Sequence, residues 1–127
     1  MKVSDPAGAL VLVIEDEPGI RKLIERLLKQ FGYATLLAAN GSDALRLFDA
    51  HAPEIQLVML DWHLPGQSGK DTLAELLRRR PDLRVMLVTG SAEATTDERA
   101  TRDTVSILLK PFTPTELMVA VRTLLGA

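Results

Sequence analysis

The sequence predicts an α/β fold, a doubly wound parallel sheet of five strands between two layers of helix. Three observations predict it. Five short apolar runs, from "ALVLVIED" to "VSILLK", alternate with stretches of helical periodicity or polar turn. Strands that alternate with helices imply a parallel sheet covered on both faces, joined by right-handed crossovers. The runs are apolar at consecutive positions, as suits strands buried on both sides. Four of the five close on a polar or charged residue, and sites in such sheets form beyond the carboxyl ends of the strands.

Residues 1–8, with Pro6 and Gly8, read as a tail or linker, and residues 9–127 as one domain. "ALVLVIED" is the first strand. After the turn "EDEPG", Ile20, Leu23/Ile24, Leu27/Leu28 and Phe31 fall on one stripe of a helix, which Gly32 is placed to end. "YATLLAA" is the second strand. Ser42 is the expected N-cap of a short helix through Ala50, with Ala44, Leu45, Leu47 and Phe48 as its apolar positions. "IQLVMLD" is the third strand, ending at Asp61, and Pro65-Gly66 signals a turn in the loop after it. A third helix faces Leu73, Leu76 and Leu77 inward and stops at Pro81. "RVMLVTG" is the fourth strand. In "SAEATTDERATRDT" the only apolar residues are Ala92, Ala94 and Ala100, so a helix there has little to bury and is expected to be short or mobile. "VSILLK" is the fifth strand. The closing helix carries Leu117, Val121, Leu124 and Leu125 on its stripe, and Thr113, Pro114 and Glu116 spell a capping box with proline at the first position.

Composition narrows the function. The chain has 127 residues, 46% apolar and 4% aromatic, so its core is mostly aliphatic. A net charge of −2 gives no electrostatic case for nucleic acid or an anionic membrane. The absence of cysteine excludes disulfides and thiolate metal sites. No apolar run reaches the roughly 18 residues of a membrane span. "MKVSDPAGA" has no signal-peptide core. A cytoplasmic location is the expectation.

The strand ends collect one set of groups on one edge of the sheet: Glu15 and Asp16 from the first strand, Asp61 from the third, Thr89 from the fourth, Lys110 from the fifth. Three carboxylates and one ammonium total −2. At about 4 Å and an effective dielectric near 20, each like-charge pair opposes the other by about 4 kcal/mol. A hard dication balances the charge, and Mg²⁺ prefers carboxylate oxygens on an open edge. The chemistry suggested is phosphoryl acceptance, since carboxylates form aspartyl phosphates and the transfer needs positioning and charge neutralisation above all. Lys110 would neutralise the group, and Thr89 would donate a hydroxyl hydrogen bond to it.

The motifs "VIEDEPGIR", "VMLDWHLPGQSG", "VTG" and "LLKPF", in that order and spacing, make residues 9–126 resemble the response-regulator receiver domain of two-component signalling. The resemblance implies a flavodoxin-like strand order 2-1-3-4-5 in a three-layer α/β/α sandwich. It implies that Asp61 is the phosphoacceptor, served by a histidine kinase or histidine phosphotransferase. It further implies that Glu15, Asp16, Asp61 and the backbone carbonyl of His63 arrange Mg²⁺ and that Thr89 and Lys110 contact the phosphoryl group; the Lys110–Pro111 bond is often cis in such domains. Phosphorylation would switch contacts with a downstream protein. The domain would be a phosphoacceptor, not an enzyme with an external product. With no output domain after the last helix, the chain is expected to be a stand-alone receiver or the receiver part of a hybrid histidine kinase.

Several positions depart from the family pattern or carry a plainer reading. Ile107 stands where receivers usually carry Tyr or Phe, so no ring is available to swing inward with Thr89. "RDTVS" replaces the usual Gly-Ala step before strand five, and the acidic residues that DNA-binding relatives use for pairing are missing. His63 reads as a loop side chain at the site mouth, Ser91 as its neighbour there, and Gly90 as leaving the site open. Trp62 reads as a rim residue or partner contact, His51 as a solvated helix end, and Arg78, Arg79 and Arg80 as a solvated basic helix end. Rival functions are a haloacid-dehalogenase-type phosphatase, which needs an aspartate where His63 stands, and a nucleotide-binding protein, for which no glycine-rich phosphate loop occurs. The remaining alternative is a phosphorylation-independent pseudo-receiver acting as an interaction module.

Overall fold

The computed structural model describes residues 8–64, 66 and 68–126. The expected tail lies outside the described residues except for Gly8, as does the proline of the Pro65-Gly66 turn. The elements run β1 (Leu10–Ile14), α1 (Pro18–Gln30), β2 (Ala34–Ala38), α2 (Gly41–His51), β3 (Ile55–Asp61), α3 (Gly69–Arg79), β4 (Val85–Thr89), two 3-10 turns (Ala92–Thr96 and Glu98–Thr101), β5 (Val105–Leu109) and α4 (Pro114–Leu125). The five strands form one parallel sheet in the order β2-β1-β3-β4-β5, the doubly wound order expected.

Strand alternation divides the consecutive apolar residues between two cores. Leu12 and Ile14, Val58 and Leu60, Val85 and Leu87 point to one face, where they meet Phe48 of α2 and Leu73, Leu76 and Leu77 of α3. Val11 and Val13, Leu57 and Met59, Met86 and Val88 point to the other, against Ile24 and Leu28 of α1 and Leu117, Val121 and Leu125 of α4. A strand sealed on both sides has no polar position, which is why these runs lack polar alternation. Both cores are aliphatic apart from a few rings, as the composition required. No helix among the described residues is long and apolar enough to cross a membrane.

Helix ends follow local chemistry. Gly32 takes a positive φ of 94°. Its N–H donates to the Lys29 carbonyl and the Tyr33 N–H to the Leu28 carbonyl, the pair of hydrogen bonds that closes a helix through a left-handed residue. The Thr113–Glu116 capping box of α4 forms in both directions. Ser68 caps α3.

Three readings need correction. Asn40, not Ser42, caps α2, its side-chain oxygen accepting from the Asp43 N–H; Ser42 lies inside the helix. Leu23 is 48% exposed, because Ile24 and Leu28 supply the buried stripe of α1. The fourth crossover, by contrast, is short as expected, with two 3-10 turns and no α-helix among the described residues; its alanines offer too little surface to hold a full helix on the sheet. The arginine run is not uniformly solvated. Arg78 pairs with Glu75 in the open, and Arg79 bridges Glu75 and Asp49. Arg80 turns inward, its guanidinium donating to the carbonyls of Ala52 and Ile55 and lying 5.6 Å from the centre of the Phe48 ring. It closes the α2–β3 connection, and burial lowers its pKa.

Candidate functional site

Parallel register brings the candidate residues together. Ile14 pairs with Leu60, Asp61 with Val88, and Thr89 with Leu109. Each strand therefore ends at the same edge, and Glu15, Asp61, Thr89 and Lys110 project from it. One carboxylate oxygen from each of Glu15, Asp16 and Asp61 can be chosen so that all three lie within 4.8 Å of one another. Glu15 and Asp61 are 2% and 5% exposed, Thr89 is fully buried, and Asp16 lies exposed at the rim.

Lys110 is the cation of the cluster. Its Nζ lies 3.3 Å from Glu15 Oε1 and 3.8 Å from Asp61 Oδ2. The other Asp61 oxygen accepts the His63 N–H at 3.1 Å. These contacts do not offset the surroundings. The Asp61 carboxyl is pushed up to about 6, first by burial and further by the Glu15 and Asp16 carboxylates, while the His63 N–H and the Lys110 ammonium pull the other way. The opening made by the acidic groups thus carries more negative charge than one lysine balances. Three closely spaced carboxylates on an open edge are a donor set that fits a hard, oxygen-seeking dication.

The loop after β3 is shaped by Trp62 and Gly69. The Trp62 N–H bonds the Val88 carbonyl, and its carbonyl accepts from the Gly69 N–H at 3.2 Å. A Cβ on Gly69 would overlap the Trp62 carbonyl oxygen and stand 2.6 Å from its Cα, so only glycine fits. Trp62 itself is 8% exposed and packs in the core with Leu64 and Leu73. That corrects its reading as a rim residue, since the indole belongs to the core on the α2 and α3 face of the sheet. His63 is exposed, and its Nε2 lies 3.5 Å from Ser91 Oγ across the site mouth. Thr89 Oγ1 donates to the Ser91 carbonyl and accepts the Ser91 N–H, both at 3.2 Å. Nothing stands within 4 Å of a Cβ placed on Gly90, in keeping with an open site. The Lys110–Pro111 bond is cis.

Two residues that the strand-end argument did not single out shape the acidic loop. Glu17 caps α1 by accepting from the Gly19 and Ile20 N–H groups, and its own N–H bonds Glu15 Oε2 at 3.1 Å. Arg21 reaches back from α1 to the carbonyls of Glu15 and Asp16. Both lie within "VIEDEPGIR", where Pro18 signals a helix start and a negative charge beside it suits the helix N-terminus. The backward reach of Arg21 has no such signal.

The family described as response regulator receiver domain matches residues 11–122. The chain is 32% identical to the sensor kinase CckA of Brucella abortus (strain 2308) over 126 residues, 98% of this chain and 13% of that protein. It is 34% identical to the probable transcriptional regulator ycf27 of Cyanophora paradoxa over 118 residues, 91% of this chain and 47% of that protein. The chain thus spans half or less of these relatives. The crystal structure of the response regulator protein TrrA from Thermotoga maritima, in complex with Mg²⁺-BeF, superposes with a TM-score of 0.81 at 32% identity, over 91% of this chain and 97% of that one. Fold, strand-end chemistry and sequence agree, and the chain belongs to the response regulator receiver domain family of two-component systems.

Proposed function

We propose that Asp61 is the phosphoacceptor of a two-component phosphorelay, loaded in an Mg²⁺-dependent reaction by a histidine kinase or histidine phosphotransferase, and that its phosphorylation switches contacts with a downstream protein. The observation that carries this reading is the gathering of Glu15 and Asp16 around the buried Asp61 carboxylate with one lysine beside it. The likeness to a structure in complex with Mg²⁺-BeF supports it.

Glu15, Asp16, Asp61 and the His63 carbonyl would hold the metal, which supplies positive charge to phosphoryl oxygens. The chain's own groups do the rest. An Asp61 oxygen bonds phosphorus as the P–N bond of the donor phosphohistidine breaks, and the electron pair leaves with the imidazole. Lys110 balances the charge that arrives. Burial keeps Asp61 apart from bulk water, which slows hydrolysis of the acyl phosphate. Thr89 donates to a phosphoryl oxygen only after its hydroxyl hydrogen leaves the Ser91 carbonyl, so loading Asp61 loosens the start of the fourth crossover. With Ile107 on the neighbouring strand, the message travels through this loop instead of through an aromatic ring. On this reading the domain is a cytoplasmic phosphoacceptor without an external product, in a stand-alone protein or in a hybrid histidine kinase such as the similarity to CckA suggests.

The test uses Trp62, the only tryptophan, buried beside Asp61. Its fluorescence is followed as Mg²⁺ and then beryllofluoride are added to wild type and Asp61→Asn. A saturable Mg²⁺ response and a second change that needs Asp61 support the proposal. Calorimetry with no Mg²⁺ binding would overturn it in favour of the pseudo-receiver.

A further inference from the structure

An arginine beside three carboxylates is ordinarily a counter-charge. Arg21 is placed differently. Its Nη1 donates to the Glu15 carbonyl at 2.8 Å and to the Asp16 carbonyl at 3.4 Å. Among the described residues these main-chain oxygens are its side-chain partners, and it forms no ion pair with the acidic cluster.

The two carbonyls belong to consecutive peptides. The Glu15 carbonyl is part of the peptide that joins Glu15 to Asp16, and the Asp16 carbonyl is part of the one that joins Asp16 to Glu17. With both planes tied to one guanidinium, the two backbone torsions of Asp16 have little freedom. The guanidinium is itself anchored, because α1 is packed on the sheet through Ile24 and Leu28 and capped by Glu17. Glu15 needs no such help, since its carboxylate is buried and tied to Lys110 and to the Glu17 N–H. Asp16 is the exposed member of the cluster, so its direction depends on its backbone.

We infer that Arg21 is a positioning residue for the divalent cation: by holding both peptides that flank Asp16, it aims that carboxylate at Glu15 and Asp61. The inference rests on the proposed function and deepens it. It predicts a sign opposite to that of a counter-charge. Removing a cation from beside an acidic site should tighten Mg²⁺ binding by electrostatics alone. Removing a positioning group should weaken it, and groups that orient metal ligands are typically worth about 10–100-fold in affinity.

Mg²⁺ affinity is measured by calorimetry for wild type, Arg21→Met and Arg21→Lys at one ionic strength. Amide NMR of residues 15–17 and thermal melting are recorded in EDTA. Arg21→Met should bind about tenfold more weakly, with an unchanged metal-free melting point and shifted amides at Asp16 and Glu17. Arg21→Lys keeps the charge and a donor on a shorter side chain, which cannot hold both carbonyls from the same anchor on α1, and should fall between. Equal or tighter binding by Arg21→Met would overturn the inference. If that variant unfolds, Arg21→Lys decides: weaker binding at unchanged charge supports positioning, and wild-type affinity overturns it. A wild type that binds no Mg²⁺ would instead bring down the proposed function itself.

Discussion

Replacing Asp61 by asparagine should stabilise the metal-free protein at alkaline pH and leave it nearly unchanged in acid. The folded-state carboxyl titrates near 6 against an ordinary value of 3.8, mainly because it is buried, with Glu15 adding repulsion. A raised carboxyl pKa means that the folded state holds the proton more tightly than the unfolded chain. The group's contribution to stability is therefore whole below about pH 4 and is lost as pH rises through about 6. About two pH units at about 1.4 kcal/mol each give a penalty of about 3 kcal/mol above pH 7. Asparagine keeps the shape and an oxygen for the His63 N–H without the charge. The Lys110 attraction is already contained in that shift, and burying the asparagine amide N–H groups trims the gain to about 1–3 kcal/mol, or about 4–10 °C in melting temperature for a domain of this size. The assay is thermal or urea unfolding of both proteins in EDTA at pH 4, 6 and 8. Saturating Mg²⁺ at pH 8 should stabilise the wild type and narrow the gap, since a ligand of the folded state stabilises it by mass action. A variant no more stable than wild type at pH 8, or equally more stable at pH 4, would refute the reasoning.

Lys110→Met removes the cation from between Glu15 and Asp61 and should lower metal-free stability at pH 8 by about 2 kcal/mol in the same unfolding assay, the loss shrinking as the carboxylates are protonated. Gly69→Ala forces a methyl into the Trp62 main chain and should cost about 1–3 kcal/mol with a shift in Trp62 emission. Arg80→Met removes the guanidinium donor from the Ile55 carbonyl and leaves the Ala52 carbonyl with the Ile55 N–H alone, and should cost about 1–3 kcal/mol; urea unfolding checks it, and phosphorylation of Asp61 should be unchanged because Arg80 lies at the opposite edge of the sheet.

Much of the fold could be read from residues because each signal was local. β3 ends at Asp61 as its apolar run does, and the Thr113–Glu116 box forms as written. The site was legible for the same reason, since a parallel sheet sends all its strand ends to one edge. What escaped depended on contacts distant in sequence or on choices between neighbours. Asn40 and Ser42 are both good caps, and the chain turns at the first. Leu23 and Ile24 are equally apolar, and only the approach of α1 to the sheet selects Ile24. Arg80 looked like its neighbours until the folded chain brought Ala52 and Ile55 beside it. Trp62 looked like a rim residue because a tryptophan after an acidic strand end gives no clue that its side chain packs into the core.

The most direct test of the central claim is to treat the protein with phosphoramidate, with Mg²⁺ or with EDTA, and to locate any phosphoryl group by mass spectrometry in wild type and Asp61→Asn. The account predicts one alkali-labile phosphoryl group, on Asp61, formed with Mg²⁺ and absent both in EDTA and in the variant. Phosphorylation that proceeds equally in EDTA, or that persists at wild-type stoichiometry on Asp61→Asn, would contradict it.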